Sequence, residues 1–140
     1  MTLHSAHVLI NAPVDVVRQI LLEPAALADW NPAFLSIEAP RTAVVGQRYP
    51  IKVKGGLSGF LEYRAISGTL IEAHWETVGF REDHSWELNA HRGGAHVRHT
   101  FEHHGVLAGV LRSAFAGVAE LRLGRLAARA EARNTPAGRV

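Results

Sequence analysis

The sequence predicts an α+β domain in which an antiparallel sheet is covered by one long C-terminal helix. Two observations support this. From Phe34 to about Phe101, short runs of alternating apolar and polar residues are separated by glycine-containing turns, which is the pattern of antiparallel strands with one buried face. From about Val106 to Arg133, apolar residues recur at helical spacing, and one helix face is predicted to carry Leu107, Leu111, Ala114, Val118 and Leu121. Such a helix can cover the buried face of the sheet.

The composition is that of a globular chain long enough to bury a core. It has 140 residues, of which 47% are hydrophobic and 20% charged, and its net charge is +2. Arginines are spread along the chain, so charge alone does not indicate nucleic-acid binding, and we expect no nucleic-acid partner. Only Arg122–Arg133 is locally basic, and we expect it to be a solvated helix face. The absence of cysteine excludes disulfides and thiolate zinc sites.

No segment of the sequence predicts export or membrane insertion. The N-terminus lacks a basic leader followed by a long apolar run. No segment reaches the ~18 apolar residues that a membrane span requires. We therefore expect a cytoplasmic protein without stable membrane insertion, and the arginine- and alanine-rich composition favours a bacterial source.

The N-terminal region reads as a strand followed by two short helices. Leu3–Ile10 has a moderate period-2 pattern and predicts the first strand. Pro13 suits a first helical turn, and apolar residues then recur on one face as far as Leu21. The pair Glu23–Pro24 ends this helix, and Ala25–Asp29 can form a second short one.

The central region predicts a meander of strands, and the whole of residues 1–134 is expected to be one domain with a flexible tail at 135–140. Gly55–Gly59 could be taken for a phosphate-binding loop, but it lacks the Gly-Lys-Ser/Thr ending and joins two strands. We predict a hairpin turn there that gates the mouth of a pocket. The candidate strands are Phe34–Glu38, Tyr49–Lys54, Phe60–Ile66, Leu70–Thr77, His84–Asn89 and His96–His104.

Several local motifs, in a fixed order along the chain, resemble a known family. Val8–Val17, VLINAPVDVV, is similar to an opening strand and an I-x-A-P-x-x-x-V helix entry. Glu23–Pro32, EPAALADWNP, looks like a D-P-x-x-x-x-x-W-x-P segment, and Val44–Tyr49 resembles a glycine turn into the third strand. Together with Trp75 and His84–Leu88, these motifs resemble the START/SRPBCC superfamily. It includes birch-pollen-allergen-like and polyketide cyclase/dehydrase-like proteins.

This resemblance implies a helix-grip fold. In that fold a curved antiparallel sheet of six to seven strands wraps around a long C-terminal helix, and two short helices follow the first strand. The resemblance also implies a hydrophobic cavity between sheet and helix. Members of the superfamily bind lipids, sterols, aromatic polyketides or plant hormones, and a minority catalyse cyclisation or dehydration. Because the superfamily has no universal catalytic motif, the fold does not supply the reaction.

The stretch HVRHTFEHH, His96–His104, raises the question of a metal site. Side chains alternate between faces along a strand, so Val97 and Phe101 place His99 on the inner face, and His103 with it if the strand continues. His99 and His103 are then about 13 Å apart along the strand, too far to share an ion. The inward-facing set, as predicted, contains no Asp or Glu. We therefore predict no metal and no cofactor.

A second prediction concerns the neighbours of the inward histidines. If the hairpin turns at Arg92–Gly93, His99 lies near Trp86 and His84 lies near Phe101. Three roles for His99 remain open. It could be a core histidine bonded to a tyrosine or to water, it could orient a polar group of a ligand, or it could be a general acid or base.

The candidate ligand-binding residues combine aromatic and apolar walls with a few polar groups, as is typical of small-molecule pockets. Tyr63, His84 and His99 would supply polar orientation and are also weak candidates for catalysis. A packed core with two histidines would give the same sequence. The candidate residues are Trp30, Phe34, Tyr63, Trp75, His84, Trp86, His99, Phe101, Leu111, Phe115 and Val118.

Our hypothesis for function is binding, transport or sequestration of a small hydrophobic or aromatic molecule by a monomer or homodimer. One alternative is a polyketide cyclase or aromatase in which a pocket histidine or tyrosine moves protons. Another is a protein-interaction module with a filled core. The binder requires an internal cavity, the enzyme requires His99 or Tyr63 to face it, and the module requires an exposed apolar patch.

Overall fold

The computed structural model describes residues 2–134 and contains a seven-stranded antiparallel sheet, two α-helices and short 3₁₀ segments. The strand order is β1-β7-β6-β5-β4-β3-β2. This confirms the predicted α+β helix-grip class; the predicted tail, 135–140, lies outside the described residues. The elements are β1 Thr2–Ile10, α1 Val14–Leu21, a 3₁₀ helix Pro24–Asp29, β2 Phe34–Ile37, β3 Arg48–Val53, β4 Ser58–Ile66, β5 Leu70–Thr77, β6 Phe80–His91, β7 Gly94–His104 and α2 Val118–Asn134.

The hairpin between β6 and β7 sets the register at the centre of the sheet. Its two loop residues, Arg92 and Gly93, have φ values of 50° and 82°, the left-handed conformation that two-residue hairpin turns need. Trp86 pairs with His99 as a result, and His84 pairs with Phe101. Both neighbours match the prediction made from the sequence.

The core lies between the concave face of the sheet and the two helices. Helix α2 packs against β1 and α1 and buries Leu123, Leu126 and Ala130 on one side. Helix α1 buries Val17 and Ile20. Their apolar stripes follow the helical period, so each helix covers the sheet with one face only.

The predicted helix from Val106 to Arg133 is wrong in its first half. The chain instead forms a series of turns, with a short 3₁₀ helix at Ser113–Phe115, before α2 begins at Val118. The physical reason on the C-terminal side is Gly117, whose φ value of 77° is incompatible with an α-helix and separates these turns from α2. None of the helices within residues 2–134 is both long and apolar enough to cross a membrane.

Gly59 offers a test of the strand pairing. It is paired with Thr77 on the neighbouring strand, and a Cβ added there would collide with the backbone carbonyl oxygen of Glu76. We expect Gly59→Ala to lower the free energy of unfolding by about 2 kcal/mol or more, because backbone must shift. Urea denaturation measures the change. Gly68→Ala, where a Cβ meets nothing within 4 Å, is the control, and equal stability of the two variants would contradict this pairing.

Candidate functional site

A cavity of about 590 Å³ lies between one end of the sheet and the segment that leads into α2. Trp75 and Phe80 form its wall on the sheet side, and Leu111 and Phe115 contribute to the opposite wall. Among the lining residues, the polar side chains with free hydrogen-bonding groups are Lys54 and Thr77. The volume and the apolar character are those of a site for a small molecule.

The turn between β3 and β4 borders this cavity. Gly55 and Gly56 have φ values of 97° and 82°, and Gly55 and Leu57 line the cavity. The segment joins two paired strands, as predicted, and it is not the start of a helix. Gating by this turn stays a prediction.

The structure divides the predicted ligand-binding residues into two groups. Trp75, Leu111, Phe115 and Val118 line the cavity. The others lie in the packed interior and do not line it: they are Trp30, Phe34, Tyr63, His84, Trp86, His99 and Phe101. Ligand binding by the first group stays a prediction.

Tyr63 connects the sheet to α1. Its hydroxyl donates a 2.6 Å hydrogen bond to the backbone carbonyl of Leu21, at the last residue of that helix. Burial raises the pKa of Tyr63, so the hydroxyl stays protonated at neutral pH. The bond satisfies a helix C-terminal carbonyl that has no partner within the helix. The hydroxyl therefore has a structural role in the fold.

A carboxylate does lie on the inner face of the sheet, contrary to the prediction. Glu82 is fully buried there. The sequence analysis began this strand at His84, whereas β6 begins at Phe80 and so contains two further inward positions. The signal was present in the sequence, because Phe80, Glu82 and His84 alternate with Arg81 and Asp83.

The cation that neutralises Glu82 comes from α2. Arg122, predicted to lie on a solvated face, is instead fully buried. Its Nη2 donates to Glu82 Oε1 at 2.9 Å and its Nη1 to Oε2 at 3.1 Å, a two-point geometry that only the planar guanidinium provides. The guanidinium also lies 4.5 Å from the centre of the Phe101 ring, a favourable cation–π distance.

Three more side chains donate to the same carboxylate. Trp75 Nε1 and His84 Nδ1 lie 2.8 Å and 2.9 Å from Oε2, and His103 Nε2 lies 2.9 Å from Oε1. Burial alone would raise the pKa of Glu82, but Arg122 and the hydrogen bonds from these histidines outweigh it and hold the pKa well below its usual range. Glu82 is therefore an ionised acceptor, and its oxygens are already bonded.

His99 is fixed as a neutral imidazole. Its Nδ1 lies 3.0 Å from the backbone carbonyl oxygen of Ser85, which can only accept, so Nδ1 carries the proton. Nε2 then accepts from Arg122 Nη1 at 3.1 Å. Burial, and then the charge of Arg122, lower the pKa of His99 well below its usual range. Both ring nitrogens of His99 are therefore bonded to groups other than the tyrosine or water that the sequence suggested.

The other histidines of the HVRHTFEHH stretch follow the predicted parity. Strand β7 continues to His104, and His103 is fully buried on the inner face. On the outer face, His96 Nε2 lies 3.1 Å from His7 Nδ1, and His104 Nε2 lies 3.5 Å from a carboxylate oxygen of Asp83. Across residues 2–134, no group of three or more His, Asp or Glu side chains is arranged to hold a metal ion.

Comparison with known proteins identifies the family. The family described as polyketide cyclase / dehydrase and lipid transport matches residues 1–131, and the chain belongs to it. This confirms the resemblance to the SRPBCC superfamily. Among curated proteins, no match to the sequence was found.

Solved structures share the fold at low sequence identity. The Zhui aromatase/cyclase from Streptomyces sp. R1128 is 15% identical with a TM-score of 0.75, over 99% of both chains. A hypothetical protein from Helicobacter pylori is 15% identical with a TM-score of 0.74, over 92% of this chain and 88% of that one. The di-domain aromatase/cyclase StfQ, from the steffimycin pathway, is 12% identical with a TM-score of 0.72, over 94% of this chain and 51% of that one.

The buried ion pair generates a first prediction for the site. Arg122→Met leaves the carboxylate of Glu82 without a cation, and we expect it to cost about 3–5 kcal/mol of unfolding free energy. Adding Glu82→Leu to the same chain should recover part of that loss, because it removes the uncompensated charge. Urea denaturation measures both variants.

The control for the ion-pair variants is Arg98→Met. It removes an exposed pair with Glu87, whose atoms lie 3.8 Å apart, and should cost about 0–1 kcal/mol. An Arg122→Met protein as stable as the Arg98→Met protein would contradict a structural role for the buried pair.

The lowered pKa of His99 predicts that the free energy of unfolding begins to fall at a higher pH than the range in which carboxylates titrate. As pH falls through about 6.5, the unfolded chain binds a proton at this imidazole and the folded chain does not, so stability decreases from about pH 7 to pH 5. Burial lowers the pKa of His4 too, which adds to the slope. We expect His99→Asn, which has no titrating group and can still donate to the Ser85 carbonyl, to show a shallower slope of unfolding free energy against pH. An unchanged slope would refute the assignment.

Proposed function

We propose that this protein binds a small hydrophobic or aromatic molecule in the cavity at the end of the sheet. The observation that carries the proposal is the cavity itself, about 590 Å³ in volume and walled by Trp75, Phe80 and Phe115. Aromatic walls give a large apolar contact area and favour flat ligands through stacking. Membership of a family described by polyketide chemistry and lipid transport supports the same class of ligand.

The polar groups of the cavity restrict the ligand further. Lys54 and Thr77 both line it, and Lys54 is exposed, so its ammonium group remains in water while its aliphatic stem covers apolar surface. A ligand with an apolar body and one oxygen-bearing end fits this arrangement. The ring system would contact Trp75 and Phe115, and the oxygen would accept from the lysine or from the threonine hydroxyl.

Binding is better supported than acid–base catalysis. A general base must come within hydrogen-bonding reach of the proton it removes. The Tyr63 hydroxyl is bonded to the Leu21 carbonyl, and both ring nitrogens of His99 are bonded, to Ser85 and Arg122. His84 is bonded to Glu82 through Nδ1. These three residues do not line the cavity.

Filling the cavity tests the proposal. Ala114 lines it, and we expect Ala114→Trp to occupy the space and weaken binding by about tenfold or more, equivalent to 1.4 kcal/mol. Native mass spectrometry of the purified wild type, followed by a thermal-shift screen of lipids and aromatic polyketides, identifies the compound. Its dissociation constant is then compared between wild type and variant.

The matched control is Ala132→Trp, which adds the same side chain at an exposed position of α2 and should bind as the wild type does. The proposal fails if no molecule co-purifies and no lipophilic compound raises the melting temperature of the wild type. It also fails if Ala114→Trp binds as tightly as Ala132→Trp.

A further inference from the structure

The three most exposed large hydrophobic side chains of the described residues lie on two adjoining loops. Val78, Val106 and Val110 are 87%, 85% and 74% exposed, and we call them the valine rim. The next most exposed is Leu3 at 63%. Single exposed hydrophobic side chains are normal on protein surfaces, but a cluster of them indicates an interaction site.

Backbone contacts hold the two loops of the valine rim together. The Leu107 N–H donates to the Gly79 carbonyl oxygen at 3.0 Å, which places the β5–β6 turn against the start of the segment before α2. A Cβ built on Gly79 would lie 3.2 Å from Val106 Cγ2. Val78 and Val106 are therefore on adjoining loops, and Val110 follows on the second of them.

The valine rim borders the cavity. Thr77 and Phe80, on either side of the Val78 turn, line the cavity, as do Leu107 and Leu111. The segment that contains Val106 and Val110 has apolar side chains on two sides, one towards the cavity and one towards solvent. Leu107 and Leu111 line the cavity, and the valine immediately before each of them is exposed to solvent.

Positive charges accompany the valine rim. Lys52 and Lys54, the two lysines of the sequence, lie at the end of β3 or just after it. Arg81 directly follows Phe80, and Arg112 directly follows Leu111. All four are exposed.

The carboxylates on the same segments leave an excess of positive charge. Glu76 lies 2.6 Å from the Nε2 atom of His74, and Glu120 lies in the first turn of α2. Asp83, two residues after Arg81 on β6, lies 2.7 Å from the Nδ1 atom of His74, and Glu82 between them is neutralised by Arg122. Four exposed cationic side chains against Glu76, Asp83 and Glu120 leave these segments with a small excess of positive charge.

We propose that the valine rim and its flanking lysines and arginines form a docking surface for an anionic phospholipid membrane. The valines would enter the interface between headgroups and acyl chains, while the cationic groups would remain with the lipid phosphates. The cavity would then open towards the bilayer. If the ligand-binding proposal also holds, an apolar ligand could pass between bilayer and cavity without crossing water.

The side chains favour a membrane over a protein partner. Protein interfaces depend on large anchors such as tryptophan, tyrosine and arginine seated in pockets of the partner. The rim instead presents three short β-branched side chains on two loops. A bilayer needs no shape complementarity, and it combines an apolar interior with anionic headgroups, which match both features of the surface.

Vesicle co-sedimentation of the full chain tests the proposal. The probes are vesicles of phosphatidylcholine alone and of phosphatidylcholine mixed with phosphatidylglycerol, at low and high salt. We expect the wild type to sediment with the mixed vesicles, and less so at high salt because charges are screened. Replacing the rim in V78S/V106S/V110S should lower vesicle affinity about tenfold or more. The K52Q/R81Q variant should lose binding to the mixed vesicles in particular.

The control variant is Leu9→Ser with Val45→Ser, at positions 59% and 49% exposed away from the valine rim and its flanking lysines, and it should bind vesicles as the wild type does. Circular dichroism and melting temperature check that every variant folds. The proposal is overturned if the wild type stays in the supernatant with both kinds of vesicle, or if the rim variant binds as the wild type does. A wild-type dimer that the rim variant lacks, without vesicle binding, would assign the rim to a protein contact and also overturn it.

Vesicle binding needs no ligand in the cavity, so this result is separate from the test of ligand binding. The rim valines do not line the cavity, and the rim variant should keep the wild-type dissociation constant for any ligand identified in the screen.

Discussion

The ion pair between Glu82 and Arg122 is the interaction on which the arrangement of sheet and helix depends. Two charges without water are costly, and they are tolerated only when each is paired and its hydrogen-bonding groups are largely satisfied. Here the carboxylate comes from β6, the guanidinium from α2, and further donors come from Trp75 on β5 and His103 on β7. A shift of α2 along the sheet, or a slip of β6 by one residue, would separate charges that are out of reach of solvent. The pair thus favours one register of strands and one position of the helix.

The same network fixes the inward histidines away from the cavity. His99 has both ring nitrogens bonded, and His84 and His103 each bond Glu82 through one nitrogen. None of the three lines the cavity. Trp75 connects this polar interior to the cavity, because its indole N–H is bonded to Glu82 while its side chain lines the cavity. Phe115 makes a second connection, since its ring lies 4.3 Å from that of His103. A ligand would therefore touch the aromatic side chains that enclose the network and leave the charges covered.

Much of the fold could be predicted from alternation and turn residues, because burial on one face of a strand is recorded directly in the order of apolar and polar side chains. The pairing of Trp86 with His99 followed from that pattern and from one two-residue turn. Glu82 and Arg122 could not be predicted in the same way. A charged residue is usually a mark of the solvent side, and only the partner across the core, 40 positions along the chain, makes burial of either one favourable. Each of the two charged residues, considered without its partner, is predicted to lie on the solvent side.

The segment before α2 shows why a correct periodicity can accompany a wrong secondary structure. Leu107, Leu111, Ala114, Val118 and Leu121 were predicted to share one face of a helix, and all five line the cavity although most of this stretch is not helical. A series of turns also brings every third or fourth residue to the same side. The spacing of apolar residues therefore predicts which side of the segment is covered, but it does not predict backbone conformation such as the positive φ of Gly117. Turns with few backbone hydrogen bonds open at a lower free energy than a packed helix. We therefore expect this wall to move when a ligand enters, while the buried ion pair keeps α2 on the sheet.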